Sequence, residues 1–166
     1  MHLILIGFMG SGKSSLARQL ASRYRLSCYD TDLIIEEETG TSIEDIFSVR
    51  GEEWFRTRES EVLLHLSEEA VIATGGGIIE RAENRSFLKR NDNIVIWLHP
   101  PFEVIYERIS NSGRPKVKDL GRQAIYALWK RRLPFYEECK DLIYDSKSSN
   151  HAILYEGIDK LLKLTD

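Results

Sequence analysis

The chain has 166 residues, 42% hydrophobic and 30% charged, which fits one globular domain (1–166) and excludes a disordered or fibrous polymer. A chain of this size buries about 70% of its unfolded surface, so its core needs no disulfide or structural metal. With 23 Lys and Arg against 26 Asp and Glu, the net charge of −3 argues against a general nucleic-acid binder. The two cysteines, Cys28 and Cys139, lack metal-motif spacing and are expected as free thiols in a reducing cytoplasm. Four scattered histidines, His2, His65, His99 and His151, suggest no metal site. The early apolar run Leu3-Ile4-Leu5-Ile6 is far too short to span a bilayer, and no basic segment precedes it, so neither a membrane anchor nor a signal peptide is expected.

Along the chain, short apolar runs alternate with helical patterns. Residues 3–6 have the composition of a buried strand, followed by a Gly-rich turn and a helix through Leu16, Ala17, Leu20 and Ala21. Residues 27–30 predict a short second strand. Thr41-Ser42-Ile43-Glu44 has the form of a capping box for a helix through Ile46 and Phe47, and a longer helix carries Trp54, Phe55, Val62, Leu63 and Leu66. Residues 70–73 predict a buried strand that ends at three glycines. Residues 94–98 predict the clearest strand, closed by Pro100-Pro101, which also opens the next helix. The polar stretch 111–121, with Gly113, Pro115 and Gly121, predicts a mobile loop. A helix over about 122–138, a strand over 142–144 and a last helix through Ile153, Ile158, Leu161 and Leu162 complete the pattern. Five strands alternating with helices predict an α/β fold, a parallel sheet covered on both faces, with ligands at the carboxyl ends of the strands. Glu36-Glu37-Glu38 is expected to be a solvated face, and Trp54, Trp97 and Trp129 core or cleft walls.

Chemistry concentrates in four places. Gly7-Phe8-Met9-Gly10-Ser11-Gly12-Lys13-Ser14 matches G-x-x-x-x-G-K-[ST] in full, between a buried strand and an amphipathic helix. In that pattern backbone N–H groups surround a polyphosphate, the lysine reaches the β- and γ-phosphates and the hydroxyl ligates Mg²⁺. Asp30-Thr31-Asp32, after the second strand, suits either a helix cap or a division of labour between metal water shell and attacking hydroxyl. Arg56 and Glu59 share a helix face, either as a solvated pair or with the acid holding the cation in place. Gly75-Gly76-Gly77 lets backbone approach a bound molecule closely, or simply makes a tight turn. For Arg132, nothing local separates a surface charge from a ligand.

Taken in order, these stretches, together with Arg114-Pro115 and Arg132, Pro134 and Tyr136, resemble the shikimate kinase family over nearly the whole chain. The resemblance implies a three-layer P-loop kinase fold with a five-stranded parallel sheet, substrate-binding helices over about 31–61 and a lid over about 111–121. It implies transfer of the ATP γ-phosphate to the 3-hydroxyl of shikimate, with Mg²⁺. Apart from the resemblance, the charge and the short apolar runs predict a cytoplasmic protein that binds neither nucleic acid nor membrane, and the size and the lack of a long apolar surface helix predict a monomer. By resemblance, Gly10, Ser11, Gly12, Lys13, Ser14 and Ser15 hold ATP, Arg108 stacks on adenine, and Arg114 closes over the phosphates. Ser14 and Asp30 belong to the metal environment. Asp32 binds the ring hydroxyls and orients the attacking hydroxyl or accepts its proton. Arg56 and Arg132 grip the carboxylate, Glu59 positions Arg56, and Gly75, Gly76 and Gly77 line the substrate. The sequence departs from the family at Lys116-Val117-Lys118, where two apolar residues are usual, and 146–150 matches nothing beyond position. A sugar-acid kinase resembling gluconate kinase would share only the phosphate loop, and a non-catalytic nucleotide switch would need no paired arginines.

Overall fold

The computed structural model describes residues 1–111, 121–145 and 151–165. The elements run β1 (His2–Ile6), α1 (Lys13–Tyr24), β2 (Ser27–Asp30), α2 (Thr31–Thr39), α3 (Ile43–His65), β3 (Ala70–Ala73), a 3-10 turn (Ile78–Glu80) and α4 (Ala82–Leu88). They continue through β4 (Asn93–Leu98), α5 (Phe102–Asn111), α6 (Arg122–Cys139), β5 (Leu142–Tyr144) and α7 (His151–Thr165). The strands form one parallel sheet in the order β2-β3-β1-β4-β5, with Leu5 in register with Ala73 on one side and Ile96 on the other. The loop after β1 therefore emerges from the middle of the sheet.

Because side chains alternate along a strand, the uninterrupted apolar runs of β1, β3 and β4 feed two cores. Leu3, Leu5, Val71, Ala73, Ile94 and Ile96 pack against Leu16, Leu20, Leu154 and Ile158 of α1 and α7. Ile4, Ile6, Ile72, Val95 and Trp97 pack on the opposite face against Leu63 of α3, Ile78 and Ile79 of the turn, Phe87 of α4 and Tyr136 of α6. Most of these side chains are wholly buried, each contributing about 1.5–3 kcal/mol.

Two local expectations are corrected. The cap of α3 is Ser42, whose Oγ accepts from the Asp45 N–H at 3.2 Å, not Thr41. Thr41 is occupied in closing the preceding turn, where its hydroxyl donates to Thr39 O at 3.1 Å beside the left-handed Gly40. Nor is Glu36 merely solvated: its Oε1 accepts from the Ile43 N–H at 2.8 Å and ties α2 to the start of α3. The two helical patterns expected over 43–66 meet at Gly51, whose φ of 82° and ψ of 169° break α3 internally. Only glycine adopts that conformation without strain, so the chain changes direction there between Phe47 and Phe55. The α4 helix and the 3-10 turn were not expected, being too short to show a period.

Candidate active site

The loop after β1 wraps into α1 at Gly12 and encloses the Lys13 ammonium. Lys13 is buried, and Nζ donates to Gly7 O at 2.8 Å and Phe8 O at 3.0 Å. Ser14 Oγ donates to Asp30 Oδ2 at 2.6 Å, bringing the first turn of α1 against the end of β2. Asp30 Oδ1 accepts from the Asp32 N–H at 3.1 Å, so this carboxylate caps α2 with one oxygen and meets Ser14 with the other. The helix-cap reading of Asp30 is thus realised, with its second oxygen held against Ser14. A cavity of about 640 Å³ opens over this loop, lined by residues 10–15, Asp30, Asp32, Gly76 and Arg108. Arg108 Nη1 donates to Gly10 O at 3.1 Å, which lays its guanidinium along the loop.

A second cavity, of about 260 Å³, lies beside the first. Asp32, Arg56, Glu59, Gly75, Gly76, Gly77, Arg131 and Arg132 line it, together with Phe47, Phe55, Ile125 and Leu128. Asp32, Gly76 and Met9 belong to both walls, so a single partition separates the two spaces. Two arginines from helices far apart in sequence reach the smaller cavity, Arg56 from α3 and Arg132 from α6. Neither is a solvated charge, with 13% and 5% of their side chains exposed. Arg56 Nη1 donates to Glu59 Oε2 at 2.8 Å and Nη2 to Glu52 Oε1 at 3.2 Å. Arg132 Nε donates to Glu80 Oε1 at 2.8 Å, and its guanidinium lies 5.5 Å over the Phe8 ring.

The three glycines let this packing close. A Cβ on Gly75 would collide with Glu59 Oε1 and sit 2.7 Å from Asp32 Oδ1, and one on Gly77 would collide with the Arg56 guanidinium. Tyr136, fully buried against Trp97 of β4, donates from its hydroxyl to Gly76 O at 2.5 Å. The Gly75 N–H donates to Thr31 Oγ1 at 3.1 Å, linking the glycine run to the first residue of α2.

Glu59 is the most perturbed acid of the site. Burial pushes its carboxyl up, Arg56 pulls it down, and neighbouring Asp32 pushes it up again, leaving it at about 7. Its Oε1 is buried with no hydrogen-bond partner among the described residues. Burial also raises Glu80, but Arg132, Arg56 and Arg131 outweigh it and hold that carboxyl below its ordinary value.

The structure brings Lys13, Ser14, Ser15 and Arg108 to the larger cavity, and Arg56, Glu59, Gly75, Gly77 and Arg132 to the smaller, with Asp32 and Gly76 between them. Arg114, with most of the expected lid, and the stretch 146–150 lie outside the described residues. Trp54 lies in the α2–α3 cluster with the Arg50 guanidinium 4.5 Å over its ring. Sequence reasoning missed Glu80, Arg131, Glu52 and Met9. Met9 sits inside the phosphate-loop motif and could have been found there; Glu52 stands four residues before Arg56, a spacing that brings side chains together on a helix. Glu80 and Arg131 carried no local signal, because they meet across 51 residues.

A parallel sheet whose central strand runs into a lysine-bearing phosphate loop, beside a second, smaller cavity, defines a P-loop kinase. The family model for shikimate kinase matches residues 9–162, and the chain belongs to the shikimate kinase family. A shikimate kinase from Dictyoglomus turgidum is 38% identical over 167 aligned positions, covering 96% of both chains. Shikimate kinase from Acinetobacter baumannii in complex with shikimate has a similar structure, with a TM-score of 0.83 at 36% identity, covering 99% of this chain and 94% of that one. The corresponding enzyme from Aquifex aeolicus gives 0.81 at 32% identity, with 98% and 96% covered.

Proposed function

We propose that this protein transfers the γ-phosphate of ATP to the 3-hydroxyl of shikimate, yielding shikimate 3-phosphate and ADP in the route to chorismate and aromatic amino acids. The observation that carries this reading is the shared partition: Asp32 and Gly76 face both the nucleotide-sized cavity and the smaller one with its buried arginines. A small ring acid with several hydroxyls needs a planar cation for its carboxylate and an acceptor at the reacting hydroxyl. Arg56 and Arg132 serve the first need, since guanidinium forks match carboxylates better than ammonium groups do. Asp32 serves the second, orienting the hydroxyl and taking its proton as the phosphoryl group arrives.

Phosphoryl transfer depends mainly on positioning and on cations around the moving group. Lys13 can exchange its carbonyl partners in the loop for phosphate oxygens without leaving its buried position. The Ser14 hydroxyl and Asp30 carboxylate, 2.6 Å apart at the cavity wall, fit Mg²⁺, which is typically held by one or two protein oxygens plus water and phosphate. Mg²⁺ bound there would neutralise charge building on the β- and γ-oxygens. Arg108 adds a cation to the wall of the larger cavity, beside Gly10.

We take the protein to act as a monomer in the cytoplasm. Helices cover both faces of its sheet, and Cys28 and Cys139 are free thiols. Among the described residues no helix is long and apolar enough to cross a membrane.

An assay coupled to ADP release, run with shikimate, with gluconate and with no acceptor, tests the proposal. Release that requires shikimate is expected. Release that ignores shikimate overturns the reading, and release driven by gluconate replaces it with a sugar-acid kinase.

A further inference from the structure

Arg132 has an acidic partner, Glu80, on the short turn that follows the glycine run. Glu80 closes the 3-10 turn after the three glycines, and its N–H donates to Gly77 O at 3.0 Å. That turn is held from the far side by Arg85, whose Nη1 donates to Ile79 O at 2.8 Å and Glu80 O at 3.1 Å. From this fixed backbone, Glu80 Oε1 accepts from Arg132 Nε at 2.8 Å and from Arg131 Nη2 at 3.1 Å. Arg132 is almost fully buried, whereas 65% of Arg131's side chain is exposed.

We propose that Glu80 is a positioning residue for acceptor binding: by committing Arg132 Nε to itself, it turns the two terminal guanidinium nitrogens toward the acceptor's carboxylate. The inference rests on the reading of Arg132 as a carboxylate-gripping group. Two effects of Glu80 oppose each other. Its negative charge repels an incoming acid, and its oxygen fixes the cation that binds that acid. The charge is shared between two arginines and a quarter of the side chain reaches solvent, so the repulsion is screened. Orientation acts on a guanidinium with 5% exposure, where a lost charge-assisted partner leaves a buried N–H unsatisfied. Orientation therefore prevails.

Steady-state kinetics of Glu80→Ala, Glu80→Gln and Arg132→Ala, with shikimate and with shikimate methyl ester as acceptors, test this. Glu80→Ala is expected to raise KM for shikimate about tenfold, the size of one charge-assisted hydrogen bond, with KM for ATP unchanged. Glu80→Gln keeps an accepting oxygen and is expected to restore KM to within about threefold of the parent, a comparison that isolates orientation from charge. With the methyl ester, which has no carboxylate to grip, Glu80→Ala is expected to leave KM unchanged. Equal rises for acid and ester, a fall in KM for the acid, or a Gln variant as impaired as the Ala variant overturns the proposal. If Arg132→Ala leaves the shikimate KM unaltered, the carboxylate-grip reading itself fails, which distinguishes the two failures.

Discussion

Asp32 stands where the two cavities meet, and its place follows from the residues around it. Asp30 caps α2, Thr31 receives the Gly75 N–H, and the next residue is thereby directed at the partition. Asp32→Asn keeps shape and loses proton affinity, so kcat is expected to fall about 10²–10⁴-fold, the usual range for a general base. Nucleotide binding, followed by fluorescence titration, should persist; retained kcat would remove Asp32 from its role. Glu59 gives a second test at this scale. Its carboxyl titrates near 7 in the fold against 4.5 as its ordinary value. Between those values the unfolded chain releases the proton while the folded one keeps it. The stability this group confers is therefore full below about 4.5 and lost as pH rises through about 7. Relative to Glu59→Gln, the parent should lose ground between pH about 4.5 and about 8 in urea denaturation; a difference that does not change with pH would contradict the shift. Residues whose roles are set by neighbours in sequence, such as Lys13 and Ser14, were legible from the motif alone. Arg132 was not, because only folding buries it beside Phe8 and Glu80.

At the scale of elements, the smaller cavity is a meeting of the glycine run with three helices, α2, α3 and α6. The glycine run lies so close to α3 that Gly77 has no room for a side chain beside Arg56. Its φ of −101° suits any residue, so Gly77→Ala strains no backbone. The flexible end of Arg56 must move instead, away from the acceptor. Stability should change by no more than about 0.5–1 kcal/mol while KM for shikimate rises at least about tenfold. A large loss of stability with unchanged KM would show that the close approach serves packing alone. All five strands were legible to within a residue: β1, β3 and β4 because they are buried throughout and almost wholly apolar, and the more exposed edge strands β2 and β5 from their short runs between helical patterns. The α3 cap slipped by one position because Thr41 and Ser42 are equally competent hydroxyls, and only the preceding turn, which engages Thr41, decides between them. Glu80 escaped notice because a three-residue turn has no period, and its partners arrive from α6.

For the whole molecule, binding must register as stability, since the acceptor cavity is assembled from α2, α3, the glycine run and α6 and exists only in the folded chain. Shikimate at about one hundred times its Kd should add about 2.7 kcal/mol to unfolding, and gluconate at the same concentration nothing. Equal shifts in melting temperature with both acids would deny the cavity its selectivity. The sheet also sorts its duties by face. The helix that begins at the phosphate loop packs on the side of Leu3, Leu5 and Ile96, whereas α3, the 3-10 turn and α6, which supply Arg56, Glu59, Glu80 and Arg132, gather on the side of Ile4, Ile72 and Val95. Acceptor preference can thus be rewritten by evolution on one flank while the fuel-handling apparatus on the other is inherited unaltered, and designers seeking new alcohols to phosphorylate have that same flank to edit.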